Sequence, residues 1–219
     1  MTTQTLITML LILCCHKICA QSYDTIQKIN GQKFEIVTNE VTEDTILLTV
    51  KKNSKIILLK KLDSSDINSI EFLDFNKDKR TDIIISHIGN VMTYSLFLFD
   101  KLKSNLKEVR GFEQFPDAVQ LKTNSRYYYS YHRAGCADDD WASDLFKIEA
   151  FNTIWVAHIS GNGCDEIESE RTIEVYKVKN DNIENNALQT FKMGKVIKKL
   201  EDKWDFIKKY WNKNYAKFI

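Results

Sequence analysis

From Lys33 to Phe99 apolar and polar side chains come in short runs, separated by turn-forming pieces such as Asn39 to Asp44 and Lys51 to Ser54. Short alternating runs cut at close intervals by Asn, Asp, Ser and Gly predict antiparallel strands. They fall at Lys33–Val37, Thr45–Val50, Lys55–Leu62, Asn68–Leu73, Asp82–Ile88 and Met92–Phe99. Ile56 to Leu59 and Ile83 to Ile85 are apolar at successive positions, as central strands of a covered sheet would be. Further strands are expected at Arg126–His132, Leu145–Phe151, Thr153–Ile159 and Arg171–Lys179. In the Arg126 strand, period two puts Tyr127, Tyr129 and Tyr131 on one face and Tyr128, Ser130 and His132 on the other. From about Leu188 the period changes. Met193, Ile197, Leu200, Trp204, Ile207 and Trp211 recur at intervals of four and three, which is one stripe of an amphipathic helix. The expected fold is mainly β, an antiparallel sandwich or propeller-like sheet over residues 21–187, with a C-terminal helix over 188–219 packed on it.

Residues 1–20 carry the apolar run Leu6 to Leu13 followed by Ile18-Cys19-Ala20, which reads as a secretory signal peptide. A lipid anchor at Cys14 or Cys15 is the second reading of this segment. No later stretch is long and apolar enough to suggest a transmembrane helix. Export, to a periplasm or the exterior, follows from the leader. Beyond it, Cys136 and Cys164 are the remaining cysteines, and two thiols in an oxidising compartment point to one disulfide.

Residues 21–219 hold 30 basic and 30 acidic side chains, unevenly spread. Residues 188–219 contain nine lysines against three acids, so the body is acidic and the tail basic. The basic excess sits on one short segment without a nucleic-acid motif, which gives no footprint for nucleic acid. There is also no nucleophile elbow, phosphate loop, zinc helix or dinucleotide fingerprint. A binding protein that is not an enzyme is the expectation.

Two stretches carry candidate chemistry. In Asp74-Phe75-Asn76-Lys77-Asp78-Lys79-Arg80-Thr81-Asp82 oxygen side chains recur at alternate positions of a short loop. Asp74, Asn76, Asp78 and Asp82 with the Arg80 carbonyl would make an oxygen shell suited to Ca2+. An Asp/Asn-rich hairpin turn is the plain alternative. The spacing resembles the Asp-x-Asn-x-Asp-x-x-x-Asp loops of integrin-type and propeller-type calcium repeats, with Lys79 where those loops usually carry Gly. The second stretch, Cys136 to Asp144, crowds Asp138, Asp139, Asp140 and Asp144 around Trp141. Asp138, Asp139, Asp140 and Trp141, with Tyr129 and Tyr131, are the candidate partner-contacting residues. Trp141 is also readable as an anchor turned inward.

The order of elements from the Asp74 loop through Tyr94-Ser95-Leu96-Phe97-Leu98-Phe99-Asp100 to the Tyr127 strand and the Cys136 loop resembles bacterial periplasmic proteins related to the invertebrate-type lysozyme inhibitors. Some of these serve as immunity proteins against peptidoglycan hydrolases. The likeness covers about residues 68–150, and the Ser-Gly-x-Tyr signature of the inhibitors is absent. It implies a calcium-binding β protein that recognises a protein partner, with a peptidoglycan hydrolase as target. The other readings are a carbohydrate-binding module using the Tyr127, Tyr129, Tyr131 stripe, and a hydrolase using the Asp138 to Asp144 carboxylates. The oligomeric state is not legible.

Overall fold

The computed structural model describes residues 24–29, 31–89 and 92–219, so the expected leader lies outside it. The chain forms three antiparallel sheets in sequence order. The first joins β1 (Thr25–Ile29), β2 (Gln32–Thr42), β3 (Thr45–Lys52) and β4 (Lys55–Asp63) as neighbours. The second repeats the pattern with β5 (Ile67–Leu73), β6 (Asp82–His87), β7 (Thr93–Asp100) and β8 (Asn105–Glu108). The third is larger. Its path contains β9 (Val119–Gln120), β10 (Tyr127–Tyr129), β12 (Asp140–Glu149), β13 (Asn152–Asn162), β14 (Thr172–Lys179) and β15 (Asn182–Ile183). Beside that path β11 (His132–Gly135) pairs with β12, and β16 (Gln189–Lys192) pairs with β14. One helical turn, α1 (Met193–Val196), and the helix α2 (Asp202–Asn214) follow.

The sheets stack as layers with an apolar seam between each pair. Phe34, Leu48 and Val50 of the first sheet meet Ile83, Ile85 and Phe97 of the second. The opposite face of the second sheet, with Leu96 and Leu98, meets Tyr128 and Phe146 of the third. The far face of the third, with Leu145, Ile159 and Val175, is covered by Ile207, Tyr210 and Trp211 of α2. Ile83 and Ile85 therefore point one way and Ile84 the other, and β6 is apolar throughout because it lies in a middle layer. The strand β4 does not share that environment. Ile57 and Leu58 are buried, but Ile56 and Leu59 are more than half exposed, because β4 is the edge strand of an outer sheet. A register shift opposite Val50 and Lys51 turns the consecutive Ile57 and Leu58 inward together.

Three expected boundaries move. The Arg126–His132 strand is broken into β10 and β11 at Ser130 and Tyr131, whose amides donate to the Asp144 and Pro116 carbonyls. The strand expected from Leu145 begins at Asp140, so Trp141 and Asp144 are sheet residues. The expected helix from Leu188 gives way at its start to β16, which completes the exposed edge of β14, and α2 begins only at Asp202. Among the described residues, no helix is long and apolar enough to cross a membrane.

Candidate functional site

The Asp74–Asp82 loop joins β5 to β6 and is wound by its own side chains. Asp74 accepts the Lys79 amide at 2.9 Å, Asn76 the Asp78 amide at 3.1 Å, and Asp78 the Arg80 amide at 2.9 Å. Lys79 has φ 66°, the left-handed conformation that glycine adopts freely at the sixth position of calcium loops. Asp82 closes the loop from below. It is fully buried and accepts the amides of Phe75 at 3.0 Å and Phe99 at 2.9 Å. Burial pushes its carboxyl up to about 6; the two amides pull it down, and the neighbouring Asp78 charge adds to the rise.

These features fit a cation. The Asp74, Asn76 and Asp78 oxygens are held by loop amides, and the buried Asp82 carboxylate has the Asp78 charge near it, which an ion would offset. Lys101 and Arg80 stand 3.7 and 3.9 Å from the Asp78 carboxylate and already neutralise part of its charge. Among the described residues, the one trio of potential ligands with atoms within 4.8 Å of one another is Cys136, Asp140 and Cys164. Its two cysteines are bonded to each other with Cα atoms 5.8 Å apart, and Asp140 accepts the Gly163 and Cys164 amides. That trio is a structural corner. The Asp74, Asp78 and Asp82 oxygens are more widely spaced, so an ion there would draw them inward.

The Cys136–Asp144 stretch does not present its acids together. Asp144 is buried and accepts from the indole of Trp155 at 2.9 Å, with Nδ1 of His158 at 2.7 Å. Asp140 holds the disulfide corner, and Asp139 is exposed. The four carboxylates thus sit in different surroundings, Asp144 in the interior, Asp138 and Asp140 half-buried and Asp139 at the surface. Trp141 is 1% exposed and lies flat over Gly161, where a Cβ would stand 2.2 Å from the indole.

Asp138 has a different role. Cys136, Ala137 and Asp138 have φ of 47°, 52° and 84°, three successive left-handed residues in a loop pinned by the disulfide. The Asp138 carboxylate accepts the Tyr131 hydroxyl and lies 2.5 Å from the Lys203 ammonium, which also donates to its carbonyl at 3.1 Å. Burial raises the Asp138 carboxyl, but the bonds from Lys203 and Tyr131 outweigh it and hold it below the usual range. Tyr131 is pushed above its ordinary value by burial and by the same carboxylate.

Beside this clamp lies a cleft of about 360 Å³. One wall is Asp138, Tyr131 and Trp204, whose indole lies 3.8 Å from the Tyr131 ring centre and is 46% exposed. The other is Tyr94 and Asp117, joined by a hydroxyl-to-carboxylate bond of 3.1 Å, with Asp117 itself at φ 50°. Arg133 stands at the rim, 3.7 Å from Asp138. Among the described residues Asp117 has no cation within 4 Å.

The fold has a solved counterpart. It is similar to a structure described as "Structure of a Xanthomonas Type IV Secretion System related protein", with TM-score 0.52 and 14% identity. The match covers 76% of this chain and 93% of that one. At that identity the likeness is one of fold. No family model and no curated protein matches the chain.

Of the partner-contacting residues read from the sequence, the cleft gathers Tyr131 and Asp138. Tyr129 packs with Tyr127 in the seam under α2, so the Tyr127, Tyr129, Tyr131 face is covered and forms no exposed platform. Lys203, Trp204, Tyr94 and Asp117 carried no sequence signal for this site. Lys203 came closest to one, since 203, 207 and 211 lie one face apart in a helix, and a lysine on that face needs a partner.

Proposed function

We propose that the chain is an exported, non-enzymatic protein that acts by binding another protein through the cleft between Tyr94–Asp117 and Tyr131–Asp138–Trp204. The observation that carries this reading is the preorganised wall. Three left-handed residues, a disulfide and a nearly buried lysine hold one short loop in a single geometry, and strain of that kind concentrates at binding sites. Tryptophan, tyrosine and arginine around a cleft are the side chains that dominate protein contacts. Asp117, without a cation of its own, favours a basic side chain from the partner.

A cell-wall hydrolase is the target this reading names, with the protein as its inhibitor or immunity protein. Support comes from the sequence likeness to periplasmic lysozyme-inhibitor relatives and from a fold neighbour named as secretion-system related. In the same reading the Asp74–Asp82 loop is a structural calcium site. Asp74, Asn76, Asp78, Asp82 and the Arg80 carbonyl would hold the ion, which would neutralise the buried Asp82 and fix the β5–β6 connection.

The test is a panel of purified peptidoglycan hydrolases assayed with the mature protein at stoichiometric excess. Inhibition of at least one, weakened tenfold or more by Asp117→Ala or Trp204→Ala, is the expected result. If every hydrolase stays fully active, the target is wrong. Inhibition unchanged in both variants would move the contact away from the cleft.

A further inference from the structure

The flank of α2 opposite Trp204 carries a second surface. Phe206, Lys209, Tyr210 and Lys213 of the helix, with Lys217 just beyond it, face Gln189 and Phe191 of β16 and Val196 of α1 across an open groove of about 490 Å³. Its floor is aromatic: the Phe191, Phe206 and Tyr210 rings lie 5.7 to 6.0 Å apart, centre to centre, with Phe191 and Phe206 half-buried and Tyr210 buried beneath them in the core under α2. Its rim is cationic. Lys209, Lys213 and Lys217 follow at intervals of four, which keeps them on one side.

These lysines are little neutralised from within. Lys209 reaches Asp205 at 3.1 Å, but both side chains are more than two-thirds exposed, where a pair holds weakly. Among the described residues Lys213 and Lys217 have no carboxylate within 4 Å. The segment 188–219 bears nine lysines, of which Lys203 is already paired with Asp138, against three acids, while residues 21–187 are net acidic, so the positive excess of the chain is carried by this segment. Val196 and, beside Gln189, Leu188 add partly exposed apolar surface.

We propose that this groove seats the protein on an anionic phospholipid surface, with the lysine rim at the phosphates and the aromatic floor taking the glycerol and upper acyl region. The combination resembles that of an interfacial surface: a cationic ladder for the charge of the leaflet, and the half-buried Phe191 and Phe206 rings with the exposed Val196 and Leu188 for its apolar boundary. An acidic protein segment would satisfy the lysines without using so open an apolar floor. The cleft beside Trp204 lies on the opposite flank of α2, so membrane seating and partner binding use separate surfaces.

The experiment is co-sedimentation of the mature protein, residues 21–219, with vesicles of phosphatidylglycerol and phosphatidylcholine, against vesicles of phosphatidylcholine alone and against soluble polyglutamate. Binding is expected to the anionic vesicles, to be released by high salt, and to fall by at least about 100-fold in Lys209→Glu/Lys213→Glu/Lys217→Glu, since each lysine lost near an anionic surface removes about fivefold and each glutamate adds repulsion. These side chains are exposed, so the triple variant should keep its unfolding midpoint. Phe206→Ala should weaken vesicle binding and leave the salt dependence in place. No binding to anionic vesicles, equal binding by the triple variant, or binding to polyglutamate alone would each overturn the proposal.

Discussion

The ammonium of Lys203, a residue only 1% exposed, lies 2.5 Å from the carboxylate of Asp138, sixty-five positions earlier in the chain. It ties α2 to the disulfide loop. Lys203→Met leaves Asp138 with the more distant Arg133 and should cost about 2 kcal/mol, below the full value of a buried pair because Asp138 keeps some solvent. Urea unfolding measures this. Since the Asp138 carboxyl is held low, its contribution is present above its unfolded value of 3.8 and is lost as pH falls through the lower folded value. The gap between wild type and variant should therefore close below about pH 3.8.

Calcium is expected to raise the thermal midpoint relative to chelator, because an ion held only by the folded loop adds its binding free energy to stability. Asp78→Ala should abolish the rise. Lys79→Gly should stabilise the ion-free protein by about 1 kcal/mol, since glycine enters the left-handed conformation found there without steric cost. A midpoint indifferent to calcium would reduce Asp74 to Asp82 to a hairpin turn.

Asp82 predicts an opposite pH trend in chelator. Its folded value of about 6 lies above the unfolded 3.8, so its favourable contribution is complete below 3.8 and is lost as pH rises through 6. Between pH 4 and 7 the wild type should lose about 2 kcal/mol relative to Asp82→Asn. The slope against pH is the readout, because the asparagine changes the loop's amide bonds as well.

Gly161→Ala should destabilise by about 3 kcal/mol, as the new methyl would overlap the Trp141 indole that covers this position. Trp141→Leu in the same background should recover part of the loss, which a double-mutant cycle by chemical denaturation would show.

Breaking the disulfide by Cys136→Ser/Cys164→Ser should cost about 3 kcal/mol from the freed loop alone. The three left-handed residues beside it, Cys136, Ala137 and Asp138, should then relax, which urea unfolding of the variant and amide exchange of this loop would show.

The strand-rich fold, the cysteine pair and the spacing of the Asp74 loop were legible along the chain, because each shows in residue types and short-range spacing. Alternation marks strands, two cysteines allow one pairing, and alternate oxygens wind a turn. The same local logic placed Ile83 to Ile85 in a covered strand but misplaced Ile56 and Leu59, since an edge strand of an outer layer and a middle strand have similar local sequences. Tertiary structure decided what depended on distant partners. The open edge of β14 took residues 189–192 out of the expected helix. The β12 ladder drew Asp144 into the interior and separated it from Asp138. The cleft itself joins Tyr94, Asp117, Tyr131, Asp138 and Trp204, whose proximity comes from the stacking of the second sheet, the third sheet and α2 and from no periodicity in the chain.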